Sequence, residues 1–467
     1  MGRRPRVAAL TAAVLTGIGF IAAEAIVLGA HIRDYDEGVY WQSFRALARG
    51  ETLFRSIFAP TPPAFYYTLL PFYQVAPSLT SLRLGVLFFG VIGLAATYVT
   101  GRLLAGELAG LIALILAATS PLYLLQSAVL LADGPAVAMS VVAVALVLLA
   151  LRSDGRTRDA LALAAGLALA ISAGIKLLGV LTAVPLLILL LGAPRARGRL
   201  ILFTTLGGLI VCAAMLVPVL SAPSAAYDDL VHSHLGAGQA AAPGLGPNLK
   251  LLFLPRENPL EALAALAAIV ALQRRDRRIT GPLVWAAVSV VAILFYKPLF
   301  LHHLVMLTPP LALVAAVGLA PILTLRARGL AIAGLMLATA AAGTFIVVRE
   351  TRQALGPDIH DAEMATAVRA VSRPGEFWIS DNPYAVAVAD RDLPGTLVDT
   401  SRQRTRAGLL TAADLEAGRV RYDVRWLLAD SGRLDVVPGY REWRDAHFHA
   451  VESLGGGAVI YQANPPP

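Results

Sequence analysis

Apolar stretches of about 20 residues recur through the first three quarters of this 467-residue chain, and no other feature limits its fold as strongly. A run of that length crosses the hydrocarbon of a bilayer as one helix, with its backbone polar groups bonded inside the segment. Candidate spans fall at 7–30, 82–104, 107–127, 134–151, 159–174, 177–193, 200–221, 259–273, 280–296, 301–322 and 329–348, about eleven in all. The chain therefore reads as an all-α polytopic membrane protein. Composition agrees: 15% of residues are charged, against about 25% in a soluble protein.

The net charge of +8 suggests nucleic acid until its location is considered. Arginines cluster at Arg3–Arg6, Arg152–Arg158, Arg195–Arg199, Arg274–Arg278 and Arg326–Arg328, each cluster next to or between apolar runs. Short basic loops lie on the cytoplasmic side, so these residues orient the chain and imply no nucleic-acid partner. Lys176 interrupts the apolar stretch 159–193. Two short spans there keep both flanking arginine clusters inside; one long span would separate them. The expected topology has a cytoplasmic N-terminus and an extracytoplasmic C-terminus. The basic start and first apolar run resemble a signal peptide, but the run is long and contains Glu24, which favours a retained anchor. The one cysteine, Cys212, permits no intramolecular disulfide.

Two domains are expected: a membrane domain over 1–349, which includes a first outer loop at 31–81, and a small extracytoplasmic α/β domain over 350–467. In the loop, Asp36–Gly50 has Tyr40, Phe44 and Leu47 on one helical face, the pattern of a helix lying on the membrane. Pro62-Pro63 open a second helix whose Phe65, Tyr66, Tyr67, Phe72 and Tyr73 suit headgroup depth. A second outer loop, 222–258, is rich in Gly, Ala and Pro and is expected to be mobile. The tail predicts helices at Asp361–Ser372 and Glu442–Ser453, with strands at Phe377–Ser380, Val424–Ala429 and Ala458–Gln462.

Chemistry concentrates on the expected outer face. Asp36 and Glu37 open the first outer loop, where carboxylates are costly unless they meet water, a cation or a substrate. Helix capping by Asp34 and Glu37 accounts for two of these acids and leaves Asp36 without a task. Asp133 lies in the turn between two spans, where a bland reading makes it a turn residue before Gly134-Pro135. All three lysines, Lys176, Lys250 and Lys297, and all eight histidines also fall outside. Snorkelling explains Lys250 best and competes evenly with anion binding at Lys176 and Lys297. Carboxylates and cations at one headgroup level suit a reaction on an anionic lipid. The pairs His232/His234 and His447/His449 lack a third metal ligand nearby, Glu24 suits a structural role, and Asp381-Asn382-Pro383 reads as a turn.

The stretches Asp36-Glu-Gly-Val-Tyr, Gly50-Glu-Thr-Leu-Phe-Arg and Pro60-Thr-Pro-Pro-Ala-Phe-Tyr-Tyr resemble the first outer loop of GT-C glycosyltransferases, which include protein O-mannosyltransferases and lipid A aminoarabinose transferases. The resemblance extends to Asp133, to Lys176 after Gly166-Leu-Ala-Leu-Ala, and to His302-His303 before Leu307-Thr-Pro-Pro. It covers most of 7–350. It implies transfer of a sugar from a polyprenyl-phosphate carrier to an extracytoplasmic acceptor, with Asp36 as base. Glu37 and Asp133 join it as candidate catalytic acids, and Lys176, His302, His303 and Lys297 are the candidate cations and donors for the phosphate, whose developing charge they would stabilise. Where the family has an aromatic after the histidine, this chain has a second histidine. A divalent metal bridging carboxylate and phosphate is compatible with this scheme, although no ligand spacing identifies one. The rival class is a transporter or lipid flippase, which favours repeats and polar groups at the midplane; here the polar groups sit at the outer boundary.

Overall fold

The computed structural model describes residues 3–29, 34–193, 196–240, 245–252, 260–323, 333–334, 336–345, 348 and 359–465. In chain order the helices are α1 (Arg3–Val27), α2 (Tyr35–Ala48), α3 (Pro63–Val75), α4 (Leu79–Ala105), α5 (Glu107–Ala118), α6 (Pro121–Leu125), α7 (Asp133–Ala150), α8 (Gly155–Ile175), α9 (Ala183–Leu191), α10 (Arg197–Ser221), α11 (Pro223–Tyr227), α12 (Ser233–Ala240), α13 (Leu245–Leu252), α14 (Leu260–Gln273), α15 (Thr280–Phe295) and α16 (Thr308–Leu323). Then come α17 (Met336–Phe345), α18 (Ile359–Val371), β1 (Trp378–Ser380), α19 (Pro383–Val388), α20 (Arg402–Arg406), α21 (Ala412–Arg421), β2 (Trp426–Ala429), α22 (Tyr440–His447), β3 (Phe448–Ser453) and β4 (Val459–Ala463).

Contacts divide the chain into two units. The first comprises Met1–Ala30, Leu82–Met215 and Gly244–Leu355, and is the membrane unit. Seven described helices are long and apolar enough to cross a bilayer, and α5, Leu177–Leu191, α14 and α17 are shorter apolar helices at other expected span positions. This is a multi-pass membrane protein. Its core is lined by α5, α7, α8, α14 and α16, among them Ile112, Val141, Ala165, Ala267 and Leu313. By contrast α1 and α10 leave most of their apolar surface uncovered, the pattern expected of helices bathed in lipid. Lys176 breaks the 159–193 stretch as expected: α8 ends at Ile175, Lys176 is extended, and a 3-10 turn, Leu177–Thr182, precedes α9. At the far end of this pair Arg199 grips Asp159 at 2.6 Å, so both ends of the segment meet, as two short spans require. Part of the expected span 329–348 lies outside the described residues.

The second unit comprises His31–Ser81, Leu216–Pro243 and Gly356–Pro467. This differs from the expected division, which gave the first outer loop to the membrane domain. Tyr40 and Phe44 do not lie on lipid; they are buried against Phe65, Tyr66 and Tyr73 of α3. The rings of the two helices pack on one another in the tilted arrangements aromatic pairs favour, which buries the same faces without lipid. Of the α3 aromatics expected at headgroup depth, Tyr67 is exposed, whereas Phe65, Tyr66 and Tyr73 are core. The segment 223–240 is helical, as α11, a π-helical turn Asp228–His232 and α12. Residues 245–252 of that loop form α13, which belongs to the first unit, and 241–244 and 253–258 lie outside the described residues.

The tail forms a four-stranded sheet in the order β1-β2-β4-β3, with β1 and β2 parallel and the other pairs antiparallel. Trp378 and Trp426 pair across β1 and β2 and their indoles stack at 5.5 Å. The expected helix Glu442–Ser453 is half helix and half strand. α22 stops at His447, and β3 folds back on β4 through Gly455–Gly457, a glycine turn that favours a hairpin.

Candidate active site

In the membrane unit, Asp133 is the first residue of α7 and is 1% exposed. Its Oδ2 accepts a 2.6 Å bond from Lys176 Nζ and lies 4.0 Å from His302 Nε2. His303 is buried edge-on to His302, ring centroids 4.4 Å apart, and packs on Tyr296. The Phe300 N–H donates to His303 Nδ1. In neutral imidazole the other nitrogen then carries the proton, so His303 Nε2 is a donor. Asp133 Oδ1 is buried and has no hydrogen-bond partner among the described residues.

Lys176 reaches Asp133 because α8 breaks where it does. Three buried hydroxyls hold that break: Thr182 Oγ1 donates to Ser140 Oγ at 2.9 Å, and Ser172 Oγ donates to the Ala136 carbonyl at 2.7 Å. Ser140 and Ser172 are 2.8 Å apart. Since the Ser172 proton is committed, Ser140 is the donor between them, and the chain runs from the 3-10 turn through α7 and α8 without an idle proton.

Asp36 and Glu37 belong to the second unit. Asp34 caps α2 as expected, and its side chain accepts the Asp36 N–H at 2.9 Å. Glu37 is completely buried, while Asp36 is half-buried. Asp36, Asp229 and Asp399 all act on the Tyr66 phenol, raising its pKa further above the normal value than burial alone does. Asp229 accepts the Ala59 N–H at 2.8 Å, which anchors the chain just before the proline-aromatic run. Burial raises its carboxyl to about 7. Tyr35, next to Asp36, donates to Asp399 or Thr400 and accepts the Thr400 N–H at 2.7 Å. Burial and the Asp399 charge push this phenol well above its usual pKa, so it keeps its proton.

Asp133, Lys176, His302 and His303 thus come together, whereas Lys297 is exposed and takes no part in their contacts. Lys250 is also exposed. Glu24 is buried near Tyr123. His232 pairs with Asp228, His447 with Trp443 and Glu416, and His449 with Asn464, so neither histidine pair makes a joint ligand set. The chain does bend after β1, with Asn382 capping α19, but the Asp381 carboxylate itself reaches across to accept the N–H groups of Asp430, Ser431 and Arg433 and pins the turn after β2. Sequence reasoning missed Tyr35, Tyr66, Asp229 and Asp399, and nothing in the local pattern distinguishes them.

The model of the dolichyl-phosphate-mannose-protein mannosyltransferase family matches residues 60–221. No curated protein matches the chain by sequence. Among solved structures it is similar to ArnT from Cupriavidus metallidurans bound to undecaprenyl phosphate, with TM-score 0.71 and 16% identity over 97% of this chain and 99% of that one. It is also similar to the archaeal oligosaccharyltransferase AglB from Archaeoglobus fulgidus in complex with an inhibitory peptide and a dolichol-phosphate. There the TM-score is 0.59 and the identity 13%, over 99% of this chain and 75% of that one. A fold shared from end to end with one such protein, and over most of another, leaves one conclusion: the chain has the GT-C glycosyltransferase fold.

Proposed function

We propose that this protein is a membrane glycosyltransferase that moves a sugar from a polyprenyl-phosphate carrier to an extracytoplasmic glycan, lipid or protein. The observation that carries the reading is the cluster of Lys176 and two histidines around buried Asp133. A sugar on a lipid phosphate has a stabilised leaving group, so cations on the phosphate and one base suffice. Lys176 and His302 supply positive charge or donors, and the Nε2–H of His303 adds a donor. Asp133 holds Lys176 in place, and its Oδ1 is suited to accept a sugar hydroxyl. Asp36 takes the proton of the acceptor hydroxyl as that oxygen bonds to the anomeric carbon; the bond from that carbon to the phosphate oxygen breaks, and its configuration inverts. The similarity to structures bound to undecaprenyl phosphate and dolichol-phosphate supports a polyprenyl-phosphate donor. With the arginine clusters inside, the N-terminus is cytoplasmic and the tail extracytoplasmic.

Asp133, His302 and His303 are close enough together to hold a metal ion. The donor set fits one poorly: His303 presents N–H where a metal needs a lone pair, and the Lys176 ammonium on Asp133 Oδ2 places a positive charge beside the one carboxylate oxygen, Oδ1, left to bind. The test uses purified protein, labelled polyprenyl-phosphate sugars and membrane acceptors. Asp36→Asn should abolish transfer while binding undecaprenyl phosphate normally, Lys176→Met should weaken that binding by about 10-fold or more, and chelators should leave transfer unchanged. Full transfer by Asp36→Asn removes the proposed base.

A further inference from the structure

The motif that opens the first outer loop is also a docking surface. Tyr35, Gly38, Gln42 and Arg45 follow one another at i, i+3, i+7 and i+10, a single stripe on α2. Each meets the tail domain. Tyr35 bonds to Thr400 and Asp399. Gly38 approaches α19 so closely that a Cβ would lie 2.6 Å from the Tyr384 backbone nitrogen, a contact only glycine permits. Gln42 is fully buried; its amide donates to the Arg391 carbonyl at 3.1 Å and its oxygen accepts the Leu393 N–H at 3.2 Å. Arg45 bridges Asp390 and Asp392 at 2.9 and 2.6 Å. At 100° per residue, Asp36 points roughly 140° away from the middle of this stripe. The docked face and the face of the acid are separate.

From this geometry we infer that the C-terminal domain is the positioning device for Asp36: it grips the back of α2 through Tyr35, Gly38, Gln42 and Arg45 and so fixes where the carboxylate points. These are positioning residues, acting through Asp36. The inference rests on the reading of Asp36 as base. It differs from a role in holding the lipid phosphate, because the stripe and its partners lie wholly within the second unit while Lys176 and Asp133 lie in the membrane unit. Burying the Gln42 amide is tolerable only because both its ends are paired with the tail, so any shift of α2 that breaks those bonds leaves buried polar atoms unpaired.

The test uses the full-length protein in lipid nanodiscs. Tyr35→Phe, Gln42→Ala, Arg45→Ala and Asp392→Ala are compared with the parent for kcat, donor KM, affinity for undecaprenyl phosphate and thermal midpoint. A misplacement of about 1 Å costs on the order of 100-fold in rate, so kcat should fall about 10- to 100-fold with phosphate affinity unchanged. Arg45→Lys should recover part of the loss, and the Arg45→Ala/Asp392→Ala double variant should lose less than the two single losses combined, since one shared ion pair is removed by both while Arg45 also holds Asp390 and Asp392 also holds Arg49. If Asp36→Asn is inactive while all four variants keep kcat within about two-fold of the parent, the positioning role is wrong and the base assignment stands. If kcat and phosphate affinity fall together with the thermal midpoint, the stripe only stabilises the fold. If Asp36→Asn is itself active, the base assignment fails and the inference falls with it.

Discussion

Asp229 shows how one buried side chain ties stability to pH. Its carboxyl is raised to about 7 by burial, against the pull of the Ala59 N–H and Arg404. In the unfolded chain it titrates near 4. Between pH ~4 and ~7 the unfolded form loses this proton while the folded form keeps it, so the contribution to stability declines as pH rises through that window and is level above it. Asp229→Asn keeps an oxygen for Ala59 and cannot ionise. It should be more stable than the parent at pH 8, by up to about 4 kcal/mol, and match it near pH 4. Thermal unfolding of both proteins from pH 5 to 8 checks this, and parallel profiles would count against it. Neither Asp229 nor Tyr35 was legible in the sequence, because their roles depend on partners 170 and 365 residues away. Asp133, Lys176 and the two histidines were legible as neighbours, since topology alone sends them to one end of the bundle. Lys297 shares that end and still stands apart, a difference of side-chain direction that topology does not encode.

Spans are set by length and hydropathy, and seven of the described helices are long and apolar enough to cross a bilayer at expected positions, whereas the expected span 107–127 breaks between α5 and α6. The break at Lys176 was equally readable, a charge inside an apolar run. What holds the break was not, because serine and threonine are common in membrane helices and only their spacing in three dimensions makes a chain of donors. Thr182→Val removes the first donor. It should cost about 1 kcal/mol and weaken binding of undecaprenyl phosphate a few-fold by loosening Lys176, while Thr182→Ser should behave as the parent; equal binding by Val and parent would detach the hydroxyl chain from the site. The opposite error occurred at α2 and α22. Aromatic periodicity in α2 fits a lipid face and a protein face equally, and α3 decided between them. At 448–453 the glycine run carried the information, and a hairpin formed where helical periodicity suggested continuation.

At the scale of the molecule, composition identified a membrane protein with a small α/β tail, and the fold agrees. The domain boundary was not readable, because the second unit draws on three separate stretches of chain. The proposed orientation is checked by reporters fused after the C-terminus and inserted near Arg156: the first should register as extracytoplasmic, the second as cytoplasmic, and the reverse would invert the assignment.

That three-part unit also sets an order of events during synthesis. The loop bearing Asp36 leaves the ribosome among the first 81 residues, yet Tyr35, Gln42 and Arg45 find their partners only at residues 383–400. Until the tail is made and folded, the aromatic faces of α2 and α3 have each other but α2 has no anchor. Contacts so distant in sequence form late. On the proposed reading, a chain cut short before residue 383 keeps Asp133, Lys176 and the two histidines together but leaves Asp36 unaimed, so transfer would begin only once the tail has folded.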